Sequence, residues 1–181
     1  MKTNNNYDLA EYKCNYAFTT LYSVFLEKSF KKNKKNVKSN FKNRKSFYDL
    51  DLIITDDEGI NDELYLIELK IRKTHYDKLL LEKKKYDNII KIKEEKEKEG
   101  YFRKYRIFYI NFTPQGTYIF DLEQLKDIEW GTSYNKRNTA YNGAYIQKET
   151  TMLNTEADYC RKINYIYNED DFKKYFYKNG I

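Results

Sequence analysis

The sequence predicts a protein of the α/β class, because helical and strand-like segments are interleaved along a chain of 181 residues. An apolar stripe at helical spacing lies near the start, alternating strands follow it, and a helix rich in Lys and Glu separates them from further strands. A chain of this length fits one domain and buries about 70% of its unfolded surface. It can therefore hold a core without disulfides or a structural metal.

The first predicted element is a helix from residue 8 to residue 27. Its apolar stripe consists of Cys14, Phe18, Leu21 and Phe25. Glu11 lies on the same stripe, where a carboxylate is costly unless it is paired, hydrogen-bonded or bound to a metal. The alternative is that Glu11, close to the helix start, reaches water or favours the helix dipole.

A polar loop over 31–44 leads into a predicted β-hairpin. Residues 47–55 alternate between apolar and polar side chains, as expected of a strand, and residues 64–72 form the second strand. Between the two strands, Asp56 to Gly59 has the composition of a turn.

A long Lys/Glu helix and several strands are predicted after the hairpin. In order, the expected elements are a helix over 76–99 ended by Gly100, a strand over 105–112, a turn over 113–116, a strand over 117–122, a short helix over 123–127, a loop over 130–143, a strand over 144–153 and a final helix capped by Asn168.

Positive charge is concentrated in one segment of the chain. The 34 basic and 28 acidic residues leave a net charge of +6, but nine basic residues and no acidic one lie between Lys28 and Tyr48. Such a segment is attracted to nucleic-acid phosphates by counterion release. The alternative is a solvent-exposed loop without a partner.

Several classes of protein are excluded or not expected. No apolar run approaches the length of a membrane helix, and the first residues do not resemble a signal peptide. Two distant cysteines and one histidine, His75, argue against a disulfide scaffold and against Cys-rich or His-rich metal sites. A standard Ser-His-Asp triad is excluded unless His75 serves it. We therefore expect a cytoplasmic protein that does not act at a membrane.

Acidic side chains are predicted to meet within the hairpin. Since side chains alternate along a strand, Asp49 and Asp51 share one face of the first strand, and Glu68 and Lys70 share one face of the second. A turn centred on Gly59-Ile60 would place Asp51 opposite Glu68 and Asp49 opposite Lys70, with Cβ atoms about 4.5–5.5 Å apart. Two carboxylates this close repel unless a cation lies between them, and Mg²⁺ accepts such ligands.

Lys70 adds a basic group to this pair of acids. An amine two residues after Glu68 can position or deprotonate a water molecule, or stabilise charge that builds on a phosphate. The chemistry indicated is hydrolysis of a phosphodiester. The alternative is an ordinary exposed sheet face, on which Asp49 and Asp51 form ion pairs with Lys70. The wholly apolar opposite face of the second strand and the adjacent basic segment favour the metal site.

The pattern Asp51-x16-Glu68-Leu69-Lys70, after a helix that carries Glu11, resembles the core of the PD-(D/E)XK nucleases. The resemblance covers about residues 8–122, as helix, three or four strands, helix and strand. Leu50 stands at the position of the motif's proline, which many family members lack. The resemblance implies a restriction-endonuclease-like α/β sandwich with a mixed central sheet flanked by helices, in one domain. Residues 123–181 would be a C-terminal extension of unknown role.

The resemblance also implies a set of functional residues in a nuclease of phage or bacterial type. Asp51, Glu68 and the backbone carbonyl of Leu69 would bind Mg²⁺, or Mn²⁺ in its place, with support from Glu11. Lys70 would handle the attacking water, and Asp49 is the alternative acid. In such nucleases a basic residue of the following helix often faces the site, and Lys85 is the candidate here. The residues expected to contact nucleic acid are Lys34, Lys35, Lys38, Lys42, Arg44, Lys45, Arg72 and Lys85.

Two other functions stay open at this point. The chain could be a nuclease-like fold that binds nucleic acid without cleaving it, or an interaction or structural subunit, for example of a phage. The sequence favours DNA as the partner without excluding RNA, and it leaves the substrate structure and a homodimer open.

Overall fold

The computed structural model describes residues 6–30, 37–42, 48–55, 61–136 and 145–178. Its elements, in chain order, are α1 (Asn6–Phe30), β1 (Val37–Phe41), β2 (Leu50–Thr55), β3 (Asn61–Ile71), β4 (Lys78–Glu82), α2 (Lys83–Glu99), β5 (Lys104–Thr113), β6 (Gly116–Asp121), a short 3₁₀ turn (Leu122–Gln124), β7 (Gly131–Lys136), β8 (Tyr145–Asn154), β9 (Cys160–Ile163) and α3 (Glu169–Lys178).

Six strands form a mixed sheet in the order β1-β2-β3-β5-β6-β9. β3 and β5 are parallel, and the other neighbouring pairs are antiparallel. The chain joins the parallel pair through β4 and α2, since parallel neighbours need a crossover of a dozen or more residues. β4, β8 and β7 form a second, antiparallel sheet. The predicted α/β class is confirmed, with a mixed main sheet.

β3 is buried on both faces, which makes it the centre of the protein. Tyr65, Ile67 and Leu69 pack against β2 and α1, as expected for the apolar face of this strand. Leu64 and Leu66 face the other way, toward a cluster formed with β4 and α2. Strands covered on both sides are nearly continuous in apolar residues, and β3 departs from that rule at Glu68 and Lys70.

Most of the predicted elements are present, and α2 shows where local patterns mislead. The helix expected over 76–99 begins only at Lys83, because residues 78–82 form β4 and pair with β8. Leu79 and Leu81 alternate into the core along β4. The helix ends at Gly100, whose φ of 71° is the left-handed conformation expected of a glycine at a helix end.

Three strands lie in segments predicted as loops or left unassigned. β1 and β9 are the two edge strands of the main sheet, and β7 is an edge strand of the second sheet. Their sequences are polar because an edge strand pairs on one side only, so β1 exposes Lys38, Ser39 and Asn40. Such strands carry little of the hydrophobic alternation on which the prediction depends.

The segment after residue 122 contributes strands to both sheets. β7 and β8 supply two of the three strands of the second sheet, and β9 extends the main sheet beside β6. α3 packs on α1, where Lys13 forms an ion pair with Glu169 at 2.5 Å and the rings of Tyr16 and Phe172 lie 5.6 Å apart. Asn168 caps α3 as predicted, since its side-chain oxygen accepts the N–H of Asp170 at 2.9 Å.

Arg72, at the end of β3, connects the two sheets. Its Nε donates to Oδ1 of Asn111 on β5 at 2.8 Å. Its Nη2 donates to the carbonyl of Leu80 on β4 at 2.7 Å and to the hydroxyl of Tyr109 on β5 at 2.8 Å. The guanidinium, expected to contact nucleic acid, is thus occupied by three protein acceptors.

We predict that Arg72→Met lowers the free energy of unfolding by about 2–3 kcal/mol, because charged hydrogen bonds are lost and buried acceptors are left without a donor. Urea denaturation measures the change. Lys73→Met is the matched control, since Lys73 is exposed and its replacement should stay within about 0.5 kcal/mol of wild type. Equal stability of both variants would contradict the bridging role of Arg72.

None of the helices in the described part of the chain has the length and apolarity that crossing a lipid bilayer requires.

Candidate active site

The pairing of β2 with β3 decides which acid approaches Glu68. Asp51 lies opposite Leu66, and Leu50 lies opposite Ile67. The predicted register, with Asp51 opposite Glu68, is therefore wrong by two residues. A shift by two keeps every side chain on its own face, so the hydrophobic pattern cannot distinguish the two registers.

Asp49 is the acid that the structure brings to the end of β3. It lies just before β2, where the strand is irregular: its N–H donates to the carbonyl of Ile67 at 3.0 Å, although Ile67 is the partner of Leu50. Its Oδ2 accepts the N–H of Leu69 at 2.6 Å. This hydrogen bond fixes the carboxylate beside the residue that follows Glu68.

The pKa of Asp49 is raised, mainly because burial disfavours the charged form. The positive charge of Lys85, the hydrogen bond from Leu69 and the charge of Lys70 oppose this rise, in that order of size. Asp49 thus lies within the electrostatic reach of two lysines. Perturbed groups of opposite charge, held together by the fold, are typical of functional sites.

Glu68 is almost completely buried, with 4% of its surface exposed. Its Oε1 forms an ion pair with the amine of Lys85, in the first turn of α2. Within the described ranges, this oxygen receives no hydrogen bond of acceptable geometry. A buried carboxylate oxygen in that state needs a cation, and Lys85 supplies one.

Lys70 is half-buried on the same face of β3 as Glu68. Burial lowers the pKa of Lys70, and the charge of Arg72 lowers it further, whereas the negative charge of Asp49 opposes the change. Burial also lowers the pKa of Lys85. A lowered pKa increases the neutral fraction of an amine, which a lysine that accepts a proton requires.

Cys14 of α1 lies within the electrostatic reach of Asp49 and Lys70. Burial raises the pKa of this thiol to about 12, and the charge of Asp49 contributes to the rise. A thiol with such a pKa is protonated at neutral pH and is therefore not a nucleophile. Glu11, predicted to support the metal, lies half-buried one helical turn before Cys14, and its role toward a metal stays a prediction.

Asp51, the acid first expected to bind metal, is engaged by protein groups. It is buried, its Oδ2 forms an ion pair with Lys42, and its Oδ1 accepts the hydroxyl of Tyr48 at 2.7 Å. Lys42 was predicted to contact nucleic acid and instead neutralises this acid. The arrangement favours a structural role for both residues.

Four of the eight residues predicted to bind nucleic acid lie within the described part of the chain. Lys34, Lys35, Arg44 and Lys45 lie outside the described residues. Of the other four, Lys38 is exposed on β1, whereas Lys42, Arg72 and Lys85 contact protein groups.

A link from the second sheet to the site could not be foreseen from the sequence. Lys148 on β8 forms an ion pair with Glu82 at 2.9 Å, and its charge also lowers the pKa of Lys85. Glu82 directly precedes α2, three residues before Lys85. The contact depends on the pairing of β4 with β8, which brings together residues nearly seventy positions apart and leaves no local signal.

The donor set fits a hard divalent cation. Asp49 and Glu68 provide two carboxylates, and a third oxygen is available from Leu69, whose N–H and C=O point to the same side of the strand, toward Asp49. Mg²⁺ is often held by one or two carboxylates completed by water and substrate phosphate. In the described part of the chain, no group of three or more His, Cys, Asp or Glu side chains could hold a metal. A metal here would take its remaining ligands from elsewhere.

Comparison with models of known protein families gave no match to the chain, and comparison with curated proteins gave no significant match.

Proposed function

We propose that the protein is a metal-dependent nuclease that hydrolyses phosphodiester bonds in DNA. The observation that carries this proposal is the set of groups at the end of β3. Lys85 forms an ion pair with Glu68, and its charge opposes the rise in the pKa of Asp49. A second lysine, Lys70, follows two residues after Glu68, and its pKa is lowered.

The order of elements supports the same proposal. The resemblance to PD-(D/E)XK nucleases implies helix, three or four strands, helix and strand, and the chain contains α1, β1 to β4, α2 and β5 in that order. The acids lie on consecutive antiparallel segments of a mixed sheet. We therefore extend the α/β class to a restriction-endonuclease-like fold as part of the proposal.

The proposed roles follow from the contacts. Asp49 and Glu68 would hold Mg²⁺ together with the carbonyl of Leu69, so that Asp49 takes the part first given to Asp51. The metal, when bound, supplies positive charge to the phosphate and lowers the pKa of bound water.

Lys70 would act on the attacking water or on the phosphate. A neutral amine accepts a proton from water, whereas a charged one stabilises the negative charge that builds on phosphorus-bound oxygen. The basic segment between Lys28 and Tyr48 leads directly to Asp49, so a DNA backbone attracted there would lie near the acids.

Cleavage of a DNA panel tests the proposal. Branched, linear and circular DNAs are incubated with the protein in Mg²⁺, in Mn²⁺ and in EDTA, with Glu68→Ala as the control. The proposal predicts strand breaks that require metal and disappear in Glu68→Ala. Binding of DNA without breaks and without bound metal would favour a nuclease-like fold that only binds, and absence of DNA binding would favour an interaction subunit.

A further inference from the structure

We propose that the amine of Lys85 holds the cation position between Asp49 and Glu68 in the metal-free protein, and that a divalent metal binds only by displacing it. This inference rests on the proposed function, because it concerns the metal site of the same acids. It assigns Lys85 a positioning role that the resemblance, which implies only a basic residue facing the site, does not contain.

Lys85 contacts one of the two acids and acts on the other through its charge. Its amine forms an ion pair with Oε1 of Glu68, whose side chain is 6% exposed. Among charged groups, Lys85 also has the largest effect on the pKa of Asp49, which its positive charge lowers. Asp49 is held in place independently of Lys85, through the N–H of Leu69. One ammonium therefore pairs with Glu68 and also stabilises the charged form of Asp49.

Electrostatics explains why the metal-free protein needs this arrangement. Buried carboxylates that approach each other repel, and each is strongly disfavoured in its charged form unless a cation is near. Mg²⁺ and Mn²⁺ require the same carboxylate oxygens that Lys85 now neutralises. An ammonium and a divalent cation held against the same buried carboxylate repel each other, so the two cations compete.

Because of this competition, the apparent affinity for metal equals the intrinsic affinity multiplied by the fraction of molecules in which Lys85 has moved away from Glu68. The side chain can leave because α2 presents it from the edge of the site, where 42% of the side chain is exposed to solvent. Removal of the amine should therefore tighten metal binding, because the metal no longer has to displace a favourable contact of the metal-free protein.

Titration with Mn²⁺ alone, followed by calorimetry, tests the inference without any cleavage assay. We expect Lys85→Met to lower the apparent Kd for Mn²⁺ about tenfold or more, because its competing charge is gone. Lys84→Met is the matched control, since Lys84 is the exposed neighbour on α2 and should leave the Kd unchanged. An unchanged or higher Kd in Lys85→Met, with wild type binding Mn²⁺, overturns the inference and leaves the proposed function standing.

A second measurement uses the wild-type protein, so it does not depend on folding of a variant. The rate of acetylation of each lysine by an amine-reactive ester is followed by mass spectrometry with and without Mn²⁺. We expect the rate at Lys85, relative to Lys84, to rise at least severalfold when Mn²⁺ is added. An unchanged or lower rate overturns the inference. Absence of Mn²⁺ binding in both wild type and Lys85→Met would overturn the proposed function as well.

Discussion

Asp49→Asn and Glu68→Gln are each expected to reduce DNA cleavage by about 10²–10³-fold or more, because each removes a negative charge that the reaction needs at the metal. Both substitutions keep the shape of the side chain. Asn at position 49 can still accept the N–H of Leu69, so the end of β3 should stay ordered. Single-turnover cleavage with saturating enzyme measures the effect on the chemical step.

Asp51→Asn is the control that separates the two candidate acids. The carboxylate of Asp51 contacts Lys42 and Tyr48, so its loss should cost stability, by about 3 kcal/mol for a buried ion pair, and should change cleavage only a few-fold. The assay is run at a temperature at which circular dichroism shows all variants folded. An inactive Asp51→Asn beside an active Asp49→Asn would return the metal-binding role to Asp51.

Lys70→Ala is expected to abolish detectable cleavage and leave DNA binding largely intact. Lys70 is half-buried beside the acids, whereas most of the positive charge that attracts DNA lies in the segment between Lys28 and Tyr48. Cleavage and a gel-shift titration on the same DNA measure the two effects separately. Full cleavage by Lys70→Ala would remove Lys70 from the mechanism.

Lys70→Arg distinguishes the two ways in which Lys70 can act. Arginine stays charged at every accessible pH, so it can stabilise a phosphate but cannot accept a proton from water. If Lys70 is the base, Lys70→Arg is as inactive as Lys70→Ala. In that case, the wild-type rate also rises with pH until the lowered pKa of Lys70 is reached, because only the neutral amine accepts a proton. Substantial activity in Lys70→Arg would identify the role as electrostatic.

Strong local signals made part of the fold predictable. The apolar stripe of α1, the alternation in β2 and β3, the glycine that ends α2 and the acidic first turn of α3 each depend on neighbouring residues, and each element is present. Glu68 and Lys70 were identifiable because they interrupt one face of a strand whose other face is apolar. Lys85 was identifiable only through a family resemblance.

The features that the sequence did not predict correctly depend on contacts between residues that are distant in the chain. β2 starts irregularly at Asp49 and its pairing with β3 shifts between Ile54 and Thr55, and neither feature changes the apolar pattern. β4 was assigned to a helix because five residues are too few to show their own period beside a long Lys/Glu segment. The pairing of Lys42 with Asp51 could not be foreseen, because β1 itself is too polar to be recognised as a strand.

The central claim is that Asp49 and Glu68 form one cation site. A crystal of the protein grown with Mn²⁺, measured for anomalous scattering, tests it most directly. The account predicts a peak bonded to carboxylate oxygens of both Asp49 and Glu68, with the amine of Lys85 moved away from Glu68. A peak at Asp51 and not at Asp49, or a fully bound metal elsewhere with the Lys85–Glu68 pair intact, would contradict it.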